Sequence, residues 1–282
     1  MTLYLNFRSQ AVAGSIVDPY MLRGDGTAFP PALSAVPWAE IAGLVAGRNL
    51  LLGTHGFNVN YEEGARSLGQ LERRLALGPS DLFIGVLWPG DFWIPVVNYP
   101  FEGDDANVCG AKLARFCNAW LGPAQSLSFV SHSLGGRLML EAVKRLARRA
   151  RSLCLTAAAI DRNCLTNEYA DAAGNADRLA VLASHNDLVL KLAFRLGDPI
   201  SDLLRDGRIS AERALGYDGP PAVPPPPVAP PWQIPDQSDY GHGNYLPPSD
   251  RLQSNVEADA DKWSKPADFM ARAFRGLPQT WP

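Results

Sequence analysis

The chain has 282 residues, 46% hydrophobic and 20% charged, with a formal net charge of −3 at pH 7. That balance excludes a low-complexity or disordered chain and leaves enough apolar mass for a sheet covered on both faces. Lys and Arg are dispersed, and the densest basic run, residues 144–151, falls late in an expected helix, where cations suit the dipole; a nucleic-acid surface is not expected.

No stretch approaches the ~18 apolar residues of a spanning helix. The start lacks a basic region followed by a long apolar one and reads as a short first strand, not a signal peptide. Integral membrane contact is therefore not expected, and a cytoplasmic location is. Cys109 and Cys117 lie eight residues apart on one expected helix, about 12 Å along its axis, too far for a disulfide. They share an apolar stripe with Leu113, Phe116 and Trp120 and read as buried thiols. Cys-x-x-Cys and Cys/His clusters are missing, so no metal site is expected.

From residue 49 to 196 short apolar runs alternate with runs of helical period. Strands are expected at 49–54, 81–88, 127–131, 152–160 and 178–184. Helices are expected at 61–77, 105–121 and 134–149, with a short one after Asp187. Continuous apolar strands between helices predict a mostly parallel sheet buried on both faces, in one α/β domain over 1–282. Residues 219–235 interrupt the pattern. Eight prolines in the twelve residues from Pro220 to Pro231 exclude helix and central strand. This stretch reads as a stiff polyproline-type excursion, with a docking segment for a proline-recognising partner as the alternative. Trp232 to Ile234 is a candidate edge strand. Helices are expected at 249–263 and 266–274, the second opening on Pro266 in its first turn.

The junction of the third strand with its helix carries the segment Ser131-His132-Ser133-Leu134-Gly135-Gly136. A nucleophile elbow lifts a strained, positive-φ serine above the sheet, and residues two before and two after it must be tiny. Ser131 and Gly135 satisfy that, although glycine is usual at both places. An oxyanion hole is also required. His55-Gly56-Phe57-Asn58 ends an apolar strand, and its loop nominates the N–H of Phe57, or of its neighbour Asn58, with that of Leu134 after the serine.

Four histidines are available as base. His55 belongs to the oxyanion loop and His132 fills the elbow. His242, in a glycine-flanked loop able to reach back over the sheet, is preferred to His185. For the acid, Asp187 follows the later strand and is preferred to Asp161, which follows the earlier one; both keep the order Ser, Asp, His. Asp187 also suits a helix N-cap. The aromatic run with Trp88, Phe92 and Trp93 is a candidate substrate-pocket wall, with a satellite core under a long loop as the equal alternative.

Taken together, His-Gly-Phe-Asn, Trp-Pro-Gly, Ser-His-Ser-Leu-Gly-Gly and Ser-His-Asn-Asp resemble the α/β-hydrolase superfamily, and within it a bacterial branch known as a domain of unknown function. The resemblance covers about residues 48–245. It implies an α/β-hydrolase fold, no cofactor, a small-molecule ester substrate, and a carboxylesterase or lipase reaction through an acyl-enzyme on Ser133. Thioesterases, acyltransferases and non-catalytic interaction proteins share this fold.

Overall fold

The computed structural model describes residues 1–10, 14–28, 30–90, 99–195, 214–221, 228–247 and 260–281. Its centre is an eight-stranded sheet. Strands β1 (Thr2–Arg8), β2 (Ile16–Asp25) and β3 (Ala32–Ala35) form an antiparallel meander at one side. Helix α1 (Trp38–Val45) leads to β4 (Asn49–Thr54), and α2 (Tyr61–Leu75) to β5 (Asp81–Leu87). Then follow α3 (Tyr99–Trp120), β6 (Ser126–His132), α4 (Gly135–Lys144), β7 (Ser152–Thr156), α5 (Ala170–Gly174), β8 (Leu179–Leu182), α6 (Leu188–Arg195), α7 (Leu215–Asp218) and α8 (Ala260–Arg275). The order is β3-β2-β1-β5-β4-β6-β7-β8, and β2 alone runs against the rest.

The apolar strands are buried on both faces because each side of the pleat meets a helix layer. In β4, Leu50 and Leu52 enter one core with residues of α1, α3 and α4. Leu51, between them, enters the other with Leu68 and Leu71 of α2 and Phe269 and Phe274 of α8. Helix α2 opens on a capping box: Asn60 Oδ1 accepts the Glu63 N–H at 3.0 Å, and Glu63 Oε2 accepts the Asn60 N–H at 3.2 Å. All four cysteines are buried and none is in a disulfide, and burial pushes the Cys117 thiol up to about 12.

Several expectations are corrected. The amino-terminal region holds β2, β3 and α1 beyond the single strand expected. Their half-exposed, Gly- and Pro-containing sequence carries little periodic signal. Helix α4 ends at Lys144 rather than near residue 149. The arginines that follow fasten a loop instead of decorating a helix: Arg148 donates to the carbonyls of Ala124 and Leu121, Arg149 to those of Gly174 and Ala176, and Arg151 to Asn49 Oδ1.

Trp232 to Ile234 does not form a strand. The end of the proline run and these residues follow the β8 edge through isolated parallel bridges, Leu179 with Val228 and Ala183 with Gln233. Pro266 lies inside α8, not in a first turn. A mid-helix proline leaves the carbonyl four residues earlier without its N–H. That carbonyl belongs to Lys262, and the Tyr240 hydroxyl donates to it at 2.8 Å. Among the described residues no helix is long and apolar enough to cross a membrane.

Candidate active site

Strand β6 passes into α4 through Ser133, whose φ is +54°. For a residue with a Cβ that left-handed backbone is strained, and it persists because the neighbours leave no other path. The Ser133 N–H continues the β6–β7 ladder to the Thr156 carbonyl at 3.0 Å, while its own carbonyl accepts Gly136 N–H at 3.0 Å and begins the next helix. A Cβ at Gly135 would run into the His55 carbonyl oxygen. This glycine is what lets the helix pass beneath the end of β4. Ser131 is buried in the same crossing.

Above the elbow lies a continuous hydrogen-bonded chain. His242 Nε2 stands 2.9 Å from Ser133 Oγ, and His242 Nδ1 stands 2.8 Å from Asp187 Oδ2. Asp187 is fully buried, whereas the His242 side chain is 18% exposed, enough to meet a solute. A carboxylate accepts, so Nδ1 carries the proton and the neutral ring turns a bare Nε2 toward the serine hydroxyl. Asp187 also caps α6, and it does so with its other oxygen: Oδ1 accepts the Leu190 N–H at 3.0 Å. Facing His242 and capping a helix, alternatives on sequence grounds, are both carried by this one carboxylate.

The remaining candidates stand elsewhere. His185 points to the surface, between Asp236 at 3.3 Å and Asp218 at 3.8 Å. Asp161 Oδ1 accepts the Asn163 N–H at 2.6 Å in the turn after β7.

The loop after β4 abuts the elbow. A Cβ on Gly56 would lie 2.8 Å from Ser133 Cβ and 3.0 Å from His132 Nδ1. Asn58 donates its N–H to the Gly90 carbonyl at 2.5 Å, which commits that amide; the loop's other expected donor is Phe57. Leu134, the N-cap of α4, follows Ser133 at the positive end of that helix. The His55 ring is buried, and desolvation holds its pKa down to about 3. The neutral ring donates Nδ1–H to the Gly56 carbonyl at 2.9 Å. Because the peptide is planar and trans, pulling that carbonyl toward His55 turns the Phe57 N–H the opposite way.

Trp88 is corrected from pocket wall to loop support. It is wholly buried, its indole N–H donates to the His55 carbonyl at 3.1 Å, and its ring stacks on the imidazole with centroids 5.9 Å apart. The parallel register of β4 with β5, Thr54 opposite Val86, is the signal that places Trp88 beside His55. Phe92 and Trp93 lie outside the described residues. Sequence reasoning also missed what His132 touches: its Nε2 lies 2.8 Å from the backbone carbonyl of His242. Among the described residues no group of three or more His, Cys, Asp or Glu side chains is placed to hold a metal ion.

Comparison with known proteins adds a family. A profile described as "Alpha/beta hydrolase of unknown function (DUF900)" matches residues 43–214. No functionally curated protein matches the chain. Among solved structures it is similar to a protein assigned to the α/β-hydrolase superfamily from Xanthomonas campestris pv. campestris. That match has 13% identity and a TM-score of 0.37, covering 77% of this chain and 96% of that one. It is also similar to esterase PE8, with 16% identity, a TM-score of 0.40 and coverage of 77% and 91%. A prolyl endopeptidase matches at 13% identity and a TM-score of 0.35, covering 91% of this chain and 36% of that one. With the profile spanning more than half of its length, the chain belongs to the DUF900 family of α/β hydrolases.

Proposed function

We propose that this α/β hydrolase is a serine carboxylesterase working through an acyl-enzyme on Ser133. The observation that carries the reading is the unbroken relay from Ser133 Oγ through His242 to Asp187, at 2.9 and 2.8 Å. Ser133 attacks the ester carbonyl carbon as His242 Nε2 takes the hydroxyl proton. The carbonyl oxygen becomes an oxyanion, held by the N–H groups of Phe57 and Leu134, while Asp187 stabilises the imidazolium. His242 returns the proton to the departing alcohol oxygen as the C–O bond breaks. Water then attacks the acyl-serine, giving its proton to His242, and the carboxylic acid leaves with Ser133 restored.

Stoichiometric labelling by a fluorophosphonate tests this. The modified peptide is expected to contain Ser133, and Ser133→Ala is expected to be silent. Failure of the folded wild-type protein to label would place it with the non-catalytic members of its fold.

A further inference from the structure

We propose that His132 is a positioning residue that seats the His242 loop over Ser133 and joins it to the oxyanion loop. The proposal rests on the esterase reading for its consequence in catalysis, but the geometry behind it is independent of any substrate.

The base sits on poor foundations of its own. His242 opens a three-residue 3-10 turn with Gly241 before it and Gly243 within it. Glycine lowers the cost of leaving that conformation, so local sequence does little to hold the ring in place. Buried Tyr240 and Tyr245 anchor the loop on either side, and Asn244 Oδ1 ties back to the Gly241 N–H at 2.8 Å. Between those anchors the His242 carbonyl is gripped by His132 Nε2 at 2.8 Å. A carbonyl only accepts, so Nε2 is the protonated nitrogen.

His132 is well suited to hold a fixed distance. It is the last residue of β6, paired with Thr156 in the sheet and joined directly to Ser133. Its other nitrogen, Nδ1, lies against Gly56, where a Cβ would come within 3.0 Å. The ring also packs against His242, centroids 4.9 Å apart, and against Tyr245, 6.0 Å apart. One side chain on a rigid strand thus touches the base loop and the oxyanion loop, and its own backbone carries the nucleophile. Desolvation and the adjoining His242 lower the His132 pKa to about 3, so the ring stays neutral and adds no charge beside a forming imidazolium.

Two substitutions separate positioning from packing. His132→Gln offers an amide N–H at about the reach of Nε2, and His132→Phe keeps the ring volume without the donor. If the hydrogen bond matters, the Phe variant should lose kcat on the order of tenfold to a hundredfold with KM nearly unchanged, and Gln should restore most of it. A role in packing alone predicts the reverse ranking, with Phe closer to wild type, and that ranking overturns the proposal.

The downfield His242 Nδ1–H resonance, read by proton NMR of the unliganded proteins, decides the matter without hydrolysis. It should persist in wild type and Gln and exchange-broaden in Phe. An unchanged resonance in a folded Phe variant overturns the positioning role, whatever the protein hydrolyses. If the resonance behaves as expected in protein that does not label at Ser133, the positioning role stands and the esterase reading falls.

Discussion

Replacing Asp187 by asparagine exploits the division of labour between its two oxygens. Oδ1 caps α6 through the Leu190 N–H, and Oδ2 faces the His242 Nδ1 proton. In Asp187→Asn the amide oxygen can keep the cap, which puts the NH₂ against Nδ1. Two donors then face each other, and His242 relieves the conflict by moving its proton to Nε2, where it can no longer accept from Ser133. The wrong tautomer is expected to cost about 10⁴ in kcat, or about 5.5 kcal/mol at 1.36 kcal/mol per decade. Stability should change by less than about 1 kcal/mol, because asparagine and aspartate cap a helix about equally well. The amide could also turn over, presenting its oxygen to Nδ1 and its NH₂ to the Leu190 N–H. That orientation preserves the tautomer but gives up the cap, so activity and stability should move in opposite senses in the two cases. Hydrolysis of a p-nitrophenyl ester and urea unfolding, measured on the same preparation, read both quantities. A variant that keeps wild-type kcat and wild-type stability together would refute the assignment of Asp187 to the relay. Asp161→Asn is expected to lose far less activity.

Three further outcomes are expected. Ser133→Ala and Ser133→Gly should both abolish hydrolysis, but glycine should unfold at higher urea, by about 1 kcal/mol, since it relieves the +54° backbone that alanine retains; equal stability would deny strain at the elbow. Trp88→Phe removes the indole donor from the buried His55 carbonyl and leaves it the distant Thr54 hydroxyl at 3.5 Å, and a loss of about 1–3 kcal/mol is expected by urea unfolding together with a lower kcat; no change in either would sever Trp88 from the oxyanion loop. His55 is neutral in the fold down to about pH 3 against an ordinary 6.5, so the unfolded chain takes up the proton first. The stability due to its burial is therefore complete above about pH 6.5 and is lost as pH falls toward 3; His55→Asn should flatten that part of the curve, and parallel curves for the two proteins would exclude a buried neutral His55.

The elements nearest the site were the most legible. Leu50 to Leu52 and Leu127 to Val130 read as strands because they are apolar on both faces, a property local residues declare. The amino-terminal meander was not legible, because β2 is half exposed and carries Pro19 and Gly24 within it. The end of α4 was misplaced since residues 145–151 have good helical propensity, yet the guanidinium groups of Arg148 and Arg149 find carbonyls of α5 and of the loops after α3 and α5 that a longer helix would carry them away from. The interior position of Pro266 depends on the Tyr240 hydroxyl, a partner 26 residues distant in the sequence.

For the site itself, the sequence by itself determined the elbow. The demand for small residues around Ser133 arises within a few positions of it, and Gly135 and Gly136 meet it locally. Setting aside His55 in the oxyanion loop and His132 in the elbow left His185 or His242 as base and Asp161 or Asp187 as acid. Tertiary structure decided which of these face one another, because Ser133 follows β6, Asp187 follows β8 and His242 lies in a turn more than fifty residues further on. It alone placed Trp88 behind His55 and His132 beneath His242. Those contacts depend on the register of neighbouring strands and on where a glycine-flanked loop lands, and neither is encoded within one segment.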